Sequence, residues 1–420
     1  MNKTIELIKL AYPIFFSFLL EIIFGFFDKM IIGRTNINAF NAVSFMTSFL
    51  YVIVGALGII TTCFNIIYNK EKKKETINVY LTFTLILGIL CELIFIFLGK
   101  NIISVLYNLD EVSLNYAYQY LIVAGPTVLF NLWIFIFSCY FRSNNNTKIQ
   151  AKVTFLSLLV NLCIDYILVF GLFDFKGIGV VGCAVGTTVG LLLGLIVYLV
   201  NYKEKINIKI NFIELKKLFK LYFPLLIDEL FNSSILTLFI TSTVSKFDQS
   251  IIGAYNVVET INSALILVTY AYSSAALTKA LQTKDITYQK ITIIVSLLIQ
   301  GILSILIIMF SSFVTSIITS QESIISIIHV YILLGVLSNL IMCLVIPYKE
   351  VLQGFNCEKF VALVTIIYVT SYIVLILLLK EIKLLNLNSI YLVSCILNLN
   401  IYIIYKIKAK KLDISKNLTH

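Results

Sequence analysis

The sequence has few charged residues and few histidines, and each shortage excludes a class of protein. Only 13% of the 420 residues are charged, 60% are hydrophobic, and the mean hydropathy is +0.98. A soluble domain needs more polar surface than this, so the composition excludes a water-soluble globular fold. The two histidines, His329 and His420, are too few to support a histidine-based catalytic or metal cluster.

Two further absences exclude nucleotide-driven and metal chemistry. The sequence contains no GxxxxGK[ST] phosphate loop, so nothing in it indicates nucleotide binding or direct ATP hydrolysis. The eight cysteines include no CxxC pair and no metal-ligand spacing, and we interpret them as small packing residues. We therefore expect a protein that is not an enzyme and that carries no cofactor.

What the sequence does contain is a series of long apolar runs. Each is about 20 residues long, which lets an α-helix cross a hydrocarbon layer of about 30 Å, and none shows the alternation of a membrane barrel. The first run is longer than the core of a signal peptide, so we expect an uncleaved span. We predict an all-α polytopic membrane protein with twelve transmembrane helices, near residues 10–32, 46–68, 79–99, 117–141, 151–172, 179–201, 218–241, 251–278, 291–312, 325–348, 360–379 and 386–405.

The net charge of +10 lies mainly in the loops between these runs. With the N-terminus taken as cytoplasmic, 25 of the 32 Lys and Arg residues fall in cytoplasmic segments. This bias predicts a multi-pass protein of the cell membrane with both termini in the cytoplasm, and gives no support to a nucleic-acid partner. The basic residues outside the cytoplasmic segments are Lys29, Arg34, Lys100, Lys176, Lys246, Lys380 and Lys383.

The two halves of the chain resemble each other. Leu-x-Lys-Leu-x-x-Pro occurs at residues 7–13 and again at 218–224, a shift of 211, and Tyr120 and Lys148 match Tyr331 and Lys359 at the same shift. Because six spans return the chain to the same side, a duplicated six-helix unit gives two lobes related as parallel internal repeats. We predict an N-terminal lobe (1–202), a cytoplasmic linker (203–217), a C-terminal lobe (218–407) and a basic cytoplasmic tail (408–420).

Carboxylates at membrane depth are the main functional signal. The predicted spans contain seven acids but only one basic residue, Lys29, at comparable depth. Acids inside a helical bundle are costly and attract protons, sodium ions or organic cations. The interior is therefore predicted to handle cations; the seven acids are Glu21, Asp28, Glu92, Asp165, Asp228, Glu229 and Glu259.

Depth decides which of these acids can meet. At about 1.5 Å per residue, Asp28 lies about 27 Å and Asp165 about 21 Å from the cytoplasmic side, and Thr187 about 12 to 14 Å below the outer side. Asn161 is one helical turn before Asp165, on the same face. Two carboxylates, an amide and a hydroxyl in one layer suit a hard cation such as sodium, or a carboxylate pair that binds a proton.

Three motifs resemble the multidrug and toxic compound extrusion (MATE) family. They are Pro13 followed by Asp28 and Gly33-Arg34, the segment 161–171 with Asn161 and Asp165, and Gly182-Cys-Ala-Val-Gly-Thr187. Phe141-Arg142-Ser-Asn-Asn-Asn-Thr147-Lys148 is also similar to that family, and the resemblance covers nearly the whole chain. It implies a cation site in the N-terminal lobe formed by Asp28, Asn161, Asp165 and Thr187, through which sodium ions or protons drive export of organic compounds.

The sequence departs from the family pattern at three positions. Lys29 replaces a small hydroxyl residue and either reaches the outer interface or pairs with Asp28. Glu21 stands where an amide is common, and Asn232 stands where some members carry a second-lobe acid, so no second ion site is carried over. Glu229, Glu259 and Glu21 are candidates for the substrate cavity, with hydrogen bonding between helices as the alternative.

Pro13 and Thr187 also have structural alternatives to a functional role. Pro13 either bends its helix during gating or simply occupies the first turn, where proline is tolerated. Threonine in a membrane helix commonly hydrogen-bonds to the backbone of its own helix, which is the alternative for Thr187. We predict a monomeric secondary antiporter for a small organic substrate, with a sodium ion or proton as coupling ion. The alternatives are a lipid-linked oligosaccharide flippase or peptide exporter of a related two-lobe fold, and a membrane-embedded transferase.

Overall fold

The structure is a computed structural model that describes residues 3–35, 37–73, 75–107, 109–171, 176–208, 210–244, 246–318 and 322–417, apart from the side chains at 22, 24–30, 33, 37, 249 and 413–417. Within these ranges all regular structure is helical, so the predicted all-α fold is confirmed. The helices are α1 (Lys3–Gly33), α2 (Ile37–Glu71), α3 (Glu75–Leu106), α4 (Glu111–Ala124), α5 (Thr127–Ser143), α6 (Lys148–Phe170), α7 (Val180–Asn201), α8 (Phe212–Glu229), α9 (Leu236–Val244), α10 (Gln249–Thr283), α11 (Thr287–Met309), α12 (Ser311–Ile318), α13 (Glu322–Gly354), α14 (Glu358–Glu381) and α15 (Leu387–Asn417).

The chain is a multi-pass membrane protein. Among the described residues, ten helical stretches are long and apolar enough to cross a membrane, and the bent pair α4–α5 makes an eleventh. α1 stands outside this count because the side chains of residues 24–30 are not described. It corresponds to the first predicted span, 10–32, and its backbone is helical from Lys3 to Gly33.

Two predicted spans are not uniform α-helices. The predicted span 117–141 consists of α4 and α5, which meet at 40° around Gly125 and Pro126. Pro126 has no N–H to donate and its ring would clash with a preceding helical turn, so the predicted span is present as two helices joined at a bend. The predicted span 218–241 contains a single π-helical turn, Leu230–Ile235, between α8 and α9, as often found at functional sites.

The described helices form two compact units, each with its own apolar core. One unit comprises Phe16–Tyr222, and the other joins the residues up to Phe15 with those from Phe223 onward. Both changes of unit fall next to a repeated proline, Pro13 in α1 and Pro224 in α8. Since α1 begins at Lys3, Pro13 lies inside the helix, and its placement in a first turn was wrong. The predicted linker 203–217 overlaps α8, which begins at Phe212.

Charge pairs secure the first residues of α1 within their unit. Lys279 Nζ lies 2.5 Å from Glu6 Oε1, and Lys3 Nζ lies 2.5 Å from Asp285 Oδ2. The hydrogen bond from Lys279 lowers the pKa of Glu6 against the opposing effect of burial. The stability from this pair is therefore present above the ordinary glutamate pKa and is lost as the pH falls through the lowered value.

The other unit secures the start of α8 with a similar pair of reversed charge. Lys217 Nζ lies 2.6 Å from Glu71 Oε1. Lys217 is 211 residues after Glu6, the same shift that separates the two proline motifs. The two halves therefore use equivalent positions for the same purpose, with the acid and the base exchanged.

Candidate functional site in the unit Phe16–Tyr222

Four glycines on α7 allow α6 to approach very closely. They recur at every fourth position, so they share one face of the helix. A Cβ placed on any of them would lie 1.8 to 3.2 Å from an atom of α6. Ser157 Oγ also donates a hydrogen bond to the carbonyl of one of them at 2.7 Å. Small residues of this kind are the usual means of close helix packing in membranes; the glycines are Gly182, Gly186, Gly190 and Gly194.

Asp165 and Asn161 are buried in this contact, one turn apart on α6. Asp165 is 0% exposed and Asn161 5% exposed. Asp165 Oδ1 lies against Gly186, and the Asn161 Cβ lies against Gly190. Cys183 Sγ donates to Asp165 Oδ2 at 3.6 Å. The two side chains share a face, as their spacing predicted, and that face is turned towards α7.

Thr187 connects this pair to two further helices. Its Oγ1 donates to the Cys183 carbonyl at 3.1 Å, which is the self-bonding arrangement expected of threonine in a membrane helix. The hydroxyl of Tyr120 on α4 lies near Thr187 and 3.4 Å from Thr47 Oγ1 on α2. Polar groups from four helices therefore form a row, from Asp165 through Cys183 and Thr187 to Tyr120 and Thr47.

The remaining member of the predicted cation site, Asp28, has a helical backbone in α1. Its side chain and that of Lys29 lie outside the described residues. A cavity of about 470 Å³ nevertheless brings the nearby Ile31 and Arg34 together with residues 162–170 of α6. The backbone of Asp28 is thus one turn from a point where α1 and α6 line the same space.

The candidates for the substrate cavity are exposed side chains. Glu21 on α1, Glu229 on α8 and Glu259 on α10 are all exposed. Ser233 Oγ donates to Glu229 Oε1 at 2.6 Å, and the Tyr391 hydroxyl donates to Glu259 Oε1 at 3.3 Å. The Tyr391 contact is the hydrogen bonding between helices that was the alternative for Glu259, whereas Ser233 lies four residues after Glu229 in the same predicted span. The role of both acids towards a substrate stays a prediction.

Asp228 has partners that the sequence did not reveal. Lys349 Nζ on α13 lies 2.8 Å from Asp228 Oδ2, and the side chains are 18% and 4% exposed. Gln353 donates to the same oxygen at 2.9 Å, and Thr365 Oγ1 donates to Oδ1 at 2.5 Å. The expectation that Lys29 is the only basic residue among the membrane-depth acids was wrong, because this ammonium group already neutralises Asp228.

Glycine at position 186 is required for Asp165 to occupy its place, and Gly186→Ala tests this. The added methyl would lie 1.8 Å from Asp165 Oδ1, so the carboxylate or the helix must move. We expect a loss of about 1–3 kcal/mol in the free energy of unfolding. Thermal unfolding in detergent measures this loss.

Gly55→Ala in α2 is the matched control, because a Cβ there meets nothing within 4 Å. It should leave the free energy of unfolding near that of the unsubstituted protein. Equal behaviour of Gly55→Ala and Gly186→Ala would contradict the close fit between α7 and Asp165.

Comparison with known proteins shows a family resemblance over part of the chain. The MatE family model matches residues 13–167, which include Asp28, Asn161 and Asp165. A probable multidrug resistance protein NorM of Thermotoga maritima is 29% identical over 192 residues, 43% of this chain and 40% of the relative. The NorM of Bacillus cereus is 25% identical over 190 residues, 44% of this chain and 42% of the relative. The chain thus aligns with less than half the length of these curated relatives.

The fold extends the likeness to the whole chain. The outward-facing structure of a multidrug resistance MATE family transporter of the MOP superfamily superposes with a TM-score of 0.86, over 100% of this chain and 98% of that one, at 14% identity. The fold therefore defines the class as a polytopic membrane protein with the architecture of MATE transporters. The resemblance to the MATE family predicted from the sequence is confirmed by the MatE match and by this shared fold.

Proposed function

We propose that this chain is a secondary antiporter that exports organic compounds, cationic or amphipathic, in exchange for inward protons or sodium ions. The observation that carries the proposal is the fully buried Asp165 at the α6–α7 contact, with Asn161 on the same face. A buried acid at membrane depth is stable as an anion only with a counter-charge, so it favours binding of a cation or a proton.

The polar row gives bound charge a route to the protein's conformation. Asp165 contacts Cys183, and Thr187 and Tyr120 continue the contacts to α4 and α2. Neutralising Asp165 changes the electrostatic energy of every helix that meets there. A coupling ion drives alternating access only through different affinities for two conformations, and these contacts are where such a difference can arise.

Asp28 is the proposed second carboxylate of the site. Its backbone lies one turn before Ile31, which shares a cavity with Tyr166, the residue after Asp165. This proximity supports the depth argument that places Asp28 and Asp165 in one layer. Pro13, inside α1 and next to the change of unit, is the proposed hinge for gating. We further propose a monomer in the cell membrane, with both termini cytoplasmic.

Efflux of a cationic dye from inverted vesicles, with proton and sodium gradients imposed separately, tests the proposal. We expect accumulation of the dye with one of the two gradients and none without a gradient. Failure of both gradients to drive uptake overturns antiport. Transport of an anionic lipid-linked saccharide in the same vesicles would instead favour a flippase of related fold.

A further inference from the structure

The second cavity lies at the ends of α9 and α14, far along the chain from the proposed cation site. It has a volume of about 330 Å³ and is formed within the unit that contains the C-terminal half. One wall comes from the end of α9 and the residues after it, and the other from the end of α14 and the turn before α15. None of the candidate cation-site residues lines it.

Three lysines surround this cavity. Lys246 follows α9, while Lys380 and Lys383 lie at the end of α14 and in the following turn. All three are exposed, and within the described residues no carboxylate forms an ion pair with them, although Asp248 and Glu381 lie in the same segments. The cavity therefore presents uncompensated positive charge.

These lysines are also three of the seven basic residues that fall outside the predicted cytoplasmic segments. Positive charge on that side runs against the bias that orients the chain, so most loops there avoid it. Three such residues from two separate segments nevertheless line one cavity, and this favours an anionic ligand there.

Most of the remaining lining is apolar, apart from Ser242 and Thr243. Phe239, Phe247, Ile376, Leu377 and Leu385 form the walls beside the lysines. Below the cavity, α14 continues with an exposed apolar surface that includes Val374 and Leu378. A ligand that fits both parts has an anionic head for the ammonium groups and an apolar tail for the helix surface.

We propose that this cavity binds the headgroup of an anionic phospholipid, with its acyl chains along α14. The phosphate accepts hydrogen bonds from the ammonium groups of Lys246, Lys380 and Lys383, and the aromatic and aliphatic walls exclude water around it. In the proposed orientation the lipid comes from the outer leaflet. The site would tie α9 to α14 and link the stability of this unit to membrane composition.

Purified full-length protein in a neutral detergent tests the site without any transport assay. Phosphatidylglycerol, phosphatidylcholine and free glycerol phosphate are added separately, and thermal unfolding and native mass spectrometry report stabilisation and retained lipid. We expect phosphatidylglycerol to raise the Tm and to be retained, in a manner weakened by salt. Equal effects of phosphatidylcholine, or a full effect of free glycerol phosphate, overturn the proposal.

The variant Lys246→Gln/Lys380→Gln removes two charges from the cavity. Retention of phosphatidylglycerol should fall roughly thirtyfold, from the usual contribution of each lysine near an anionic lipid surface. Lys100→Gln/Lys176→Gln is the matched control, since it removes two exposed lysines from the same predicted side at other loops. Equal retention by both double variants would show that general surface charge, and not this cavity, holds the lipid.

Discussion

We expect Asp165→Asn to reduce gradient-driven efflux to the level of empty vesicles. The amide has nearly the same shape, so it keeps its place against Gly186, but it removes the charge that we propose binds the coupling ion. Removing a buried charge leaves the fold intact, so expression and thermal unfolding should be nearly unchanged. Dye efflux in reconstituted vesicles, normalised to inserted protein, measures the effect.

Asp110→Asn is the control for this variant. Asp110 is exposed before α4 and makes no side-chain cap hydrogen bond, so its charge should not matter. Asp28→Asn is expected to match Asp165→Asn, because both acids belong to the proposed site. Efflux at the unsubstituted rate by Asp165→Asn would remove the coupling role of this acid.

The largest expected effect on stability comes from Lys349→Met. This change leaves the Asp228 carboxylate buried with no cation beside it, while Gln353 and Thr365 still point at it. Removing one partner of a buried pair costs about 3–5 kcal/mol, mainly because the remaining charge is uncompensated. Thermal or denaturant unfolding in detergent should show the loss.

The double variant Asp228→Asn/Lys349→Met tests whether the uncompensated charge of Asp228 causes the loss of stability. With the charge removed from both sides, most of the lost stability should return, and a double-mutant cycle gives the interaction energy. Lys359→Met, at an exposed lysine at the start of α14, is the control for loss of one positive charge. A double variant as unstable as Lys349→Met would contradict the ion-pair explanation.

Local sequence predicted the helices and the Asn161–Asp165 face well, since both depend on periodicity along one segment. Long apolar runs fix where helices can lie, and a spacing of four residues fixes which side chains share a face. The Gly125-Pro126 pair in the sequence indicates a break, although the apolar run continues on both sides of it. The break arises because proline has no N–H to donate to the preceding turn.

Contacts between distant segments could not be predicted in the same way. In the sequence Tyr120 stands out only as a match to Tyr331, and its position near Thr187 depends on how α4 packs on α7. Lys349 was assigned to a cytoplasmic segment because the predicted span stopped at 348, whereas α13 continues to Gly354. Its partner Asp228 is 121 residues earlier, and nothing local to either residue indicates the other.

The chain changes from one compact unit to the other next to Pro13 and again next to Pro224, and this sets an order of assembly during synthesis. Residues 3–15 leave the ribosome early, yet the unit to which they belong needs residues from Phe223 onward. At usual elongation rates the intervening chain takes on the order of ten seconds or more to make. Until then Glu6 and Lys3 have no Lys279 or Asp285 to meet, so the first residues of α1 can join their unit only after much of the C-terminal half has been made.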